Sequence, residues 1–155
     1  MPIRPSDISL EPSLRRQAAV DLFNYTWTML EKPERTAGET ERMIHAAHAS
    51  RYFWEDAGGP LEHARGEWQL ARVYAVGGRG EPALHHARRC LALCEEHGIG
   101  DFDLAFAHEA MARAAAVAGN RQAAADHARL AREAAAAIAG DDDRETVLAD
   151  LATLP

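Results

Sequence analysis

The sequence predicts an all-α fold in which antiparallel helical hairpins stack into a short solenoid of about seven helices. Apolar residues recur with helical spacing along nearly the whole chain, and no segment alternates as a half-buried strand would. Glycine, proline or aspartate interrupts this pattern at short intervals, as expected at helix ends. The dipeptide His-Ala begins at His45, His86 and His127, so the step from the first copy to the second equals the step from the second to the third. A fixed period of this size is typical of a repeat architecture.

The interruptions divide the chain into seven predicted helices joined by short connections, so successive helices should pack as antiparallel hairpins. We expect hairpins over about 13–56, 60–96 and 101–139, followed by a capping helix over about 143–151. Thr36 with Glu39 has the pattern of a capping box at the start of the second helix. Residues 1–12 are predicted to be an extended arm, and 13–155 a single helical domain. The predicted helices are Ser13–Glu31, Thr36–Asp56, Pro60–Val76, Glu81–Glu96, Asp101–Ala118, Arg121–Ala139 and Asp143–Leu151.

Composition narrows the function classes. The 155 residues carry a net charge of −7, which argues against a nucleic-acid-binding protein. No stretch approaches the roughly 20 apolar residues that span a bilayer, and the N-terminus lacks the apolar core of a signal peptide. We therefore expect a cytoplasmic protein with no membrane partner, and the use of arginine over lysine, with much alanine and glycine, suggests a bacterial source. Cys90 and Cys94, one helical turn apart, are expected to be free thiols in the core.

The period is best preserved between the run Leu70–Ala83 and the run Met111–Ala124, which resemble the tetratricopeptide repeat. The first run has the family's small, aromatic, glycine and alanine positions at Ala71, Tyr74, Gly78 and Ala83. The second has three of them, Ala112, Gly119 and Ala124, with Ala115 in place of the aromatic residue. The repeat is longer than the usual tetratricopeptide period, as in extended bacterial forms of the repeat. The resemblance covers roughly 13–139 and implies a right-handed solenoid in which the small residues allow close helix approach and the glycines make the turns.

The resemblance also implies a binding surface. In the family, the first helix of each hairpin lines a concave face that holds a ligand. The corresponding positions here are Trp27, Arg65, Trp68, Arg72, Phe106, Glu109 and Arg113. Guanidinium groups bind carboxylates and aromatic rings add apolar area, so we expect a module that binds a protein or peptide segment or a small anionic ligand, without a cofactor or catalytic residues. The alternative is that the tryptophans belong to the core and the arginines pair with Glu31, Glu67 and Glu109.

A second hypothesis is a small metal-dependent enzyme on the same scaffold. His45, His48 and Tyr52 share one face of the second helix, and two histidines one turn apart can hold a metal if Asp101 or Asp103 completes the site. The simpler interpretation is that these rings pack between helices. The aspartates could also meet the predicted arginines or simply begin a helix. A third hypothesis is a structural homo-oligomer subunit, in the simplest case a homodimer.

Overall fold

The computed structural model describes residues 4–155 and confirms the predicted all-α fold, with no strand among those residues. Met1, Pro2 and Ile3, in the predicted arm, lie outside the described residues. Within the rest of the arm, Pro5–Asp7 form one 3-10 turn, held to α2 by a hydrogen bond. The seven helices are α1 Pro12–Leu30, α2 Ala37–Ala57, α3 Pro60–Val76, α4 Gly80–Glu96, α5 Asp101–Val117, α6 Arg121–Ala136 and α7 Asp141–Leu151.

Local chemistry explains where the helices begin and end. The Glu39 N–H donates to Thr36 Oγ1 (3.2 Å) and the Thr36 N–H to Glu39 Oε2 (2.9 Å), so the predicted capping box is present at the start of α2. Helix α7 begins slightly earlier than predicted, because three consecutive aspartates in its first turn interact favourably with the helix dipole. Helix α6 ends slightly earlier than predicted, and Ile138 just beyond it is buried against α7.

The helices form three antiparallel hairpins, with α1 on α2, α3 on α4 and α5 on α6 as the most extensive contacts. Two of the connections repeat the same turn. Gly78 and Gly119, one repeat step apart, both have left-handed backbones with φ of +73° and +82°. The residue after each glycine closes the end of the preceding helix with a backbone hydrogen bond. The Arg79 N–H donates to the Tyr74 carbonyl and the Asn120 N–H to the Ala115 carbonyl, both at 2.9 Å. The turn role expected for Gly78 is confirmed.

Small residues set the distance between neighbouring helices. Ala71 and Ala83 are buried in the main core, which joins α3 and α4 to α2 and α5. Gly80, at the start of α4, lies against the backbone of Ala118, so close that a Cβ there would be 2.7 Å from the Ala118 Cα. A second core joins α5, α6 and α7 around Ala135, Ile138 and Leu151 and their neighbours.

Helix α7 continues the repeat. It packs against both α6 and α5, as α5 packs against both α4 and α3. The period continues with it, because Trp27, Trp68, Glu109 and Asp150 follow one another at equal steps along the chain. The helix predicted as a cap therefore also occupies the place of the first helix of a fourth hairpin. As a result, the first helices of the three hairpins, α1, α3 and α5, and the equivalent helix α7 contribute to one side of the molecule.

Candidate functional site

Helices α1, α3, α5 and α7 surround one groove of about 680 Å³. Its walls come from α1, α3, α5 and α7, and α4 contributes two residues to its floor. This volume falls within the range of ligand pockets, roughly 300–1,000 Å³. The lining residues are Phe23, Trp27, Ala64, Arg65, Trp68, Arg72, Cys90, Cys94, Phe102, Asp103, Phe106, Thr146, Ala149 and Asp150.

Aromatic side chains form a continuous wall in the groove. The Trp27 and Trp68 rings lie 5.3 Å apart between centroids, and Phe106 meets Trp68 edge-on at 5.5 Å. Phe102 meets Phe106 edge-on at 4.7 Å. Edge-to-face and tilted pairs of this kind hold aromatic rings in fixed orientations. The wall therefore presents a preformed apolar surface, with Phe23 of α1 as a further aromatic lining residue.

The structure brings together five of the seven groove residues predicted from the sequence: Trp27, Arg65, Trp68, Arg72 and Phe106. Glu109 and Arg113 do not line the groove but are buried behind it. Thr146, Ala149 and Asp150 of α7 lie outside the predicted set, because the sequence predicts α7 only as a cap. The repeat was the signal that could have found them, since Thr146 lies two repeat steps after Ala64.

Both arginines in the groove are already paired with carboxylates of the chain. Arg65 makes a two-pronged contact with Asp103, from Nε at 2.8 Å and Nη2 at 3.1 Å, and this hydrogen bond raises the pKa of Arg65. Arg72 donates to Glu109 Oε1 at 3.1 Å and also pairs with Asp150. The Arg72 guanidinium lies over the Trp68 ring, 5.1 Å from its centroid. A cation–π contact is thus made within the chain.

Glu109 is the centre of the buried charge network behind the groove and is fully inaccessible to solvent. Arg113 Nε donates to it at 2.7 Å, and Trp68 Nε1 donates at 3.4 Å. Burial lowers the pKa of Arg72, but the charges of Glu109 and Asp150 outweigh this and raise it. In and behind the groove, three guanidinium groups are thus paired with three carboxylates: Arg65, Arg72 and Arg113 with Asp103, Glu109 and Asp150. The groove and the network behind it are together charge-balanced, which disfavours an anionic ligand.

Two thiols contribute to the floor of the groove. Cys90 and Cys94 are free and buried, as expected, and both line the groove. Cys94 Sγ lies 3.9 Å from the Asp103 carbonyl oxygen. The thiols also interact with each other: a hydrogen bond with Cys94, together with burial, raises the pKa of Cys90, while the same contact lowers the pKa of Cys94.

The histidine cluster of α2 lies in a different place. His48 Nε2 is 2.7 Å from the Tyr74 hydroxyl, and His86 Nδ1 is 2.6 Å from Glu67 Oε2. Burial raises the pKa of Glu67, but His86 and Arg51 outweigh it, so this pKa is lowered. The polar rings therefore form a hydrogen-bonded network between α2, α3 and α4.

The structure does not gather the residues of the predicted metal site. His48 faces Tyr74 and His86, whereas Asp103 pairs with Arg65 at the groove. Tyr52 is 39% exposed, and Asp101 is exposed at the first position of α5. Among residues 4–155, no group of three or more His, Cys, Asp or Glu side chains has a metal-binding arrangement. The set of His45, His48, Asp101 and Asp103 is therefore not a single site.

Three histidines predict how stability responds to acid. Burial, with the charge of His86, lowers the pKa of His48, and burial also lowers the pKa values of His108 and His127, whose Nδ1 atoms lie 3.2 Å apart. Because these pKa values are lower in the folded chain, the three histidines are protonated more readily in the unfolded chain. The free energy of unfolding should therefore fall as the pH drops below about 6.5.

Urea unfolding followed by circular dichroism between about pH 7.5 and 5.5 measures this effect. The variant His108→Asn should show a shallower pH dependence, whereas replacement of the exposed His85 by Asn should leave the slope unchanged. A flat stability profile for the unmodified chain over this range would contradict the assignment.

Comparison of the chain with protein-family models, with curated proteins and with solved structures finds no match. Within the described part of the chain, no helix combines the length and the apolar character needed to cross a membrane. The geometry of the groove is accordingly the main guide to function.

Proposed function

We propose that this chain is a tetratricopeptide-like binding module that holds an apolar side chain of a partner protein segment in the groove. The observation that carries the proposal is the aromatic wall of Trp27, Trp68, Phe102 and Phe106 in a groove whose charged residues are paired with one another. Burial of a large apolar or aromatic side chain in such a pocket contributes about 1.5–3 kcal/mol. The repeat period, the equivalent glycine turns and the lining by first helices support the family resemblance.

Of the two ligand classes expected from the sequence, a protein or peptide segment and a small anionic ligand, the paired charges favour the first, with an apolar side chain as its anchor. An anion that captured Arg72 would have to compete with Glu109 and Asp150. Because Glu109 is fully buried, losing one of its arginines would leave a carboxylate less compensated inside the protein. An apolar group needs no such exchange, since it only removes aromatic surface from water. The arginines then serve to hold α3, α5 and α7 in place around the ligand.

Filling the groove tests this proposal without removing any native contact. Ala149 of α7 is exposed and lines the groove, so Ala149→Trp should place an indole inside it. Nile red, an uncharged aromatic dye, is the probe, and its fluorescence enhancement gives the affinity. We expect the unmodified chain to bind the dye and Ala149→Trp to weaken binding at least about tenfold, corresponding to about 1.4 kcal/mol.

The matched control is Glu145→Trp, which adds the same indole to an exposed position of α7 outside the groove lining. Its dye affinity should stay close to that of the unmodified chain. Equal affinities of the two tryptophan variants, or no dye binding by the unmodified chain, would contradict the proposal.

A further inference from the structure

We propose that Cys90 and Cys94 form a two-thiolate site for a soft monovalent metal ion of the Cu(I) type at the floor of the groove. This site is distinct from the aromatic wall proposed above to hold a side chain of a partner protein. It uses the two sulfur atoms at the floor of the groove, and its ligand is a metal ion. It adds a metal-binding capacity that the α2 histidines do not supply.

The backbone places the two sulfur atoms for joint binding. Cys90 and Cys94 lie one helical turn apart within the regular helix α4, so their side chains are next to each other on one face, with Cβ atoms about 5–6 Å apart. Both residues line the groove and both thiols are free. A ligand that enters the groove therefore meets two sulfur atoms on one side rather than one.

The donor set selects the class of ion. Thiolates are soft ligands that favour Cu(I), whereas structural zinc takes four protein ligands. Within residues 4–155 the two cysteines are not part of any group of three potential ligands. Two sulfur atoms are enough for an ion that accepts two-coordinate, roughly linear binding. The surroundings are also largely dry, since Cys90 and Cys94 are only 2% and 1% exposed, which disfavours a hard, strongly hydrated ion.

Binding changes the protonation of the thiols and not the oxidation state of the metal. Each thiol loses one proton as its sulfur–copper bond forms, so two protons leave for each Cu(I) ion bound. The complex of one monovalent ion with two thiolates carries one net negative charge.

Anaerobic titration with Cu(I) in competition with a chromogenic Cu(I) chelator tests the proposal. The unmodified chain should withdraw one Cu(I) from the chelator. Cys90→Ala and Cys94→Ala should each lower the affinity at least about 100-fold, because loss of a direct ligand should cost at least as much as the roughly 10–100-fold lost with an outer-shell partner. The control His48→Ala alters the α2 histidine network and should retain full copper binding. Retention of copper by the cysteine variants, or its loss from His48→Ala alone, would overturn the proposal.

A second measurement needs no variant and so does not depend on the folding of the alanine proteins. X-ray absorption of the copper-loaded unmodified chain should show two sulfur neighbours and no nitrogen, and a nitrogen-dominated shell would overturn the proposal. Nile red binding by the metal-free chain reports on the groove independently. Failure of copper binding with intact dye binding would therefore reject this site and leave the proposed function standing.

Discussion

Replacing Glu109 with alanine is expected to destabilise the fold by about 3–5 kcal/mol, the cost of removing one partner from a buried ion pair. The carboxylate is fully buried and accepts hydrogen bonds from Arg72, Arg113 and Trp68. Without it, Asp150 is the one carboxylate left in contact with both guanidinium groups. The free energy of unfolding measured in urea by circular dichroism gives the change.

A pair of similar geometry on the surface provides the control. Glu133 accepts a hydrogen bond from Arg129 at 2.8 Å across one helical turn, as Glu109 does from Arg113, but both partners of the surface pair are 60% exposed. Surface ion pairs contribute about 0–1 kcal/mol, so Glu133→Ala should change stability little. Similar losses in the two variants would mean that the network behind the groove is not buried as described.

Replacing Leu151 with alanine is the second large effect, with an expected loss of about 2–5 kcal/mol. Leu151 is 4% exposed in the core formed by α5, α6 and α7, where it lies with Val147 and Ile138. Removing its side chain leaves a cavity under α7 and loosens the wall that carries Ala149. Thermal and urea unfolding measure the loss, and Nile red affinity should fall with it.

Leu148 is the matched control because it lies on the same helix but is 44% exposed. Leu148→Ala should stay within about 0.5 kcal/mol of the unmodified chain. If Leu151→Ala were equally harmless, α7 would not be packed as the first helix of a fourth hairpin, and the fourth wall of the groove would be absent.

Local signals in the sequence were sufficient to predict much of the fold. Gly78 and Gly119 mark turns because a left-handed backbone suits glycine, and Thr36 with Glu39 marks a helix start because the two residues satisfy each other's backbone groups. These features depend on residues close together in the chain. The end of α6 was less predictable, because burial of Ile138 depends on where α7 packs.

The candidate site was predicted only in part. The family resemblance placed Trp68 and Arg72 among the groove-lining positions of one helix, and the structure keeps them together. The pairing of Arg72 with Asp150 joins distant parts of the chain and depends on the position of α7, which the sequence predicts only as a cap. Consequently the arginines were expected to be available to an anionic ligand, whereas in the structure they hold the walls of the groove together.

Peptide selection is the most direct test of an apolar binding groove. A random peptide library is selected on the unmodified chain and depleted on Ala149→Trp, so that only sequences that need an open groove remain. We expect peptides with a recurring aromatic or large aliphatic anchor, no enrichment in aspartate or glutamate, and little dependence of affinity on salt. Acidic peptides whose binding weakens with salt, or anchored peptides that bind Ala149→Trp equally well, would contradict it.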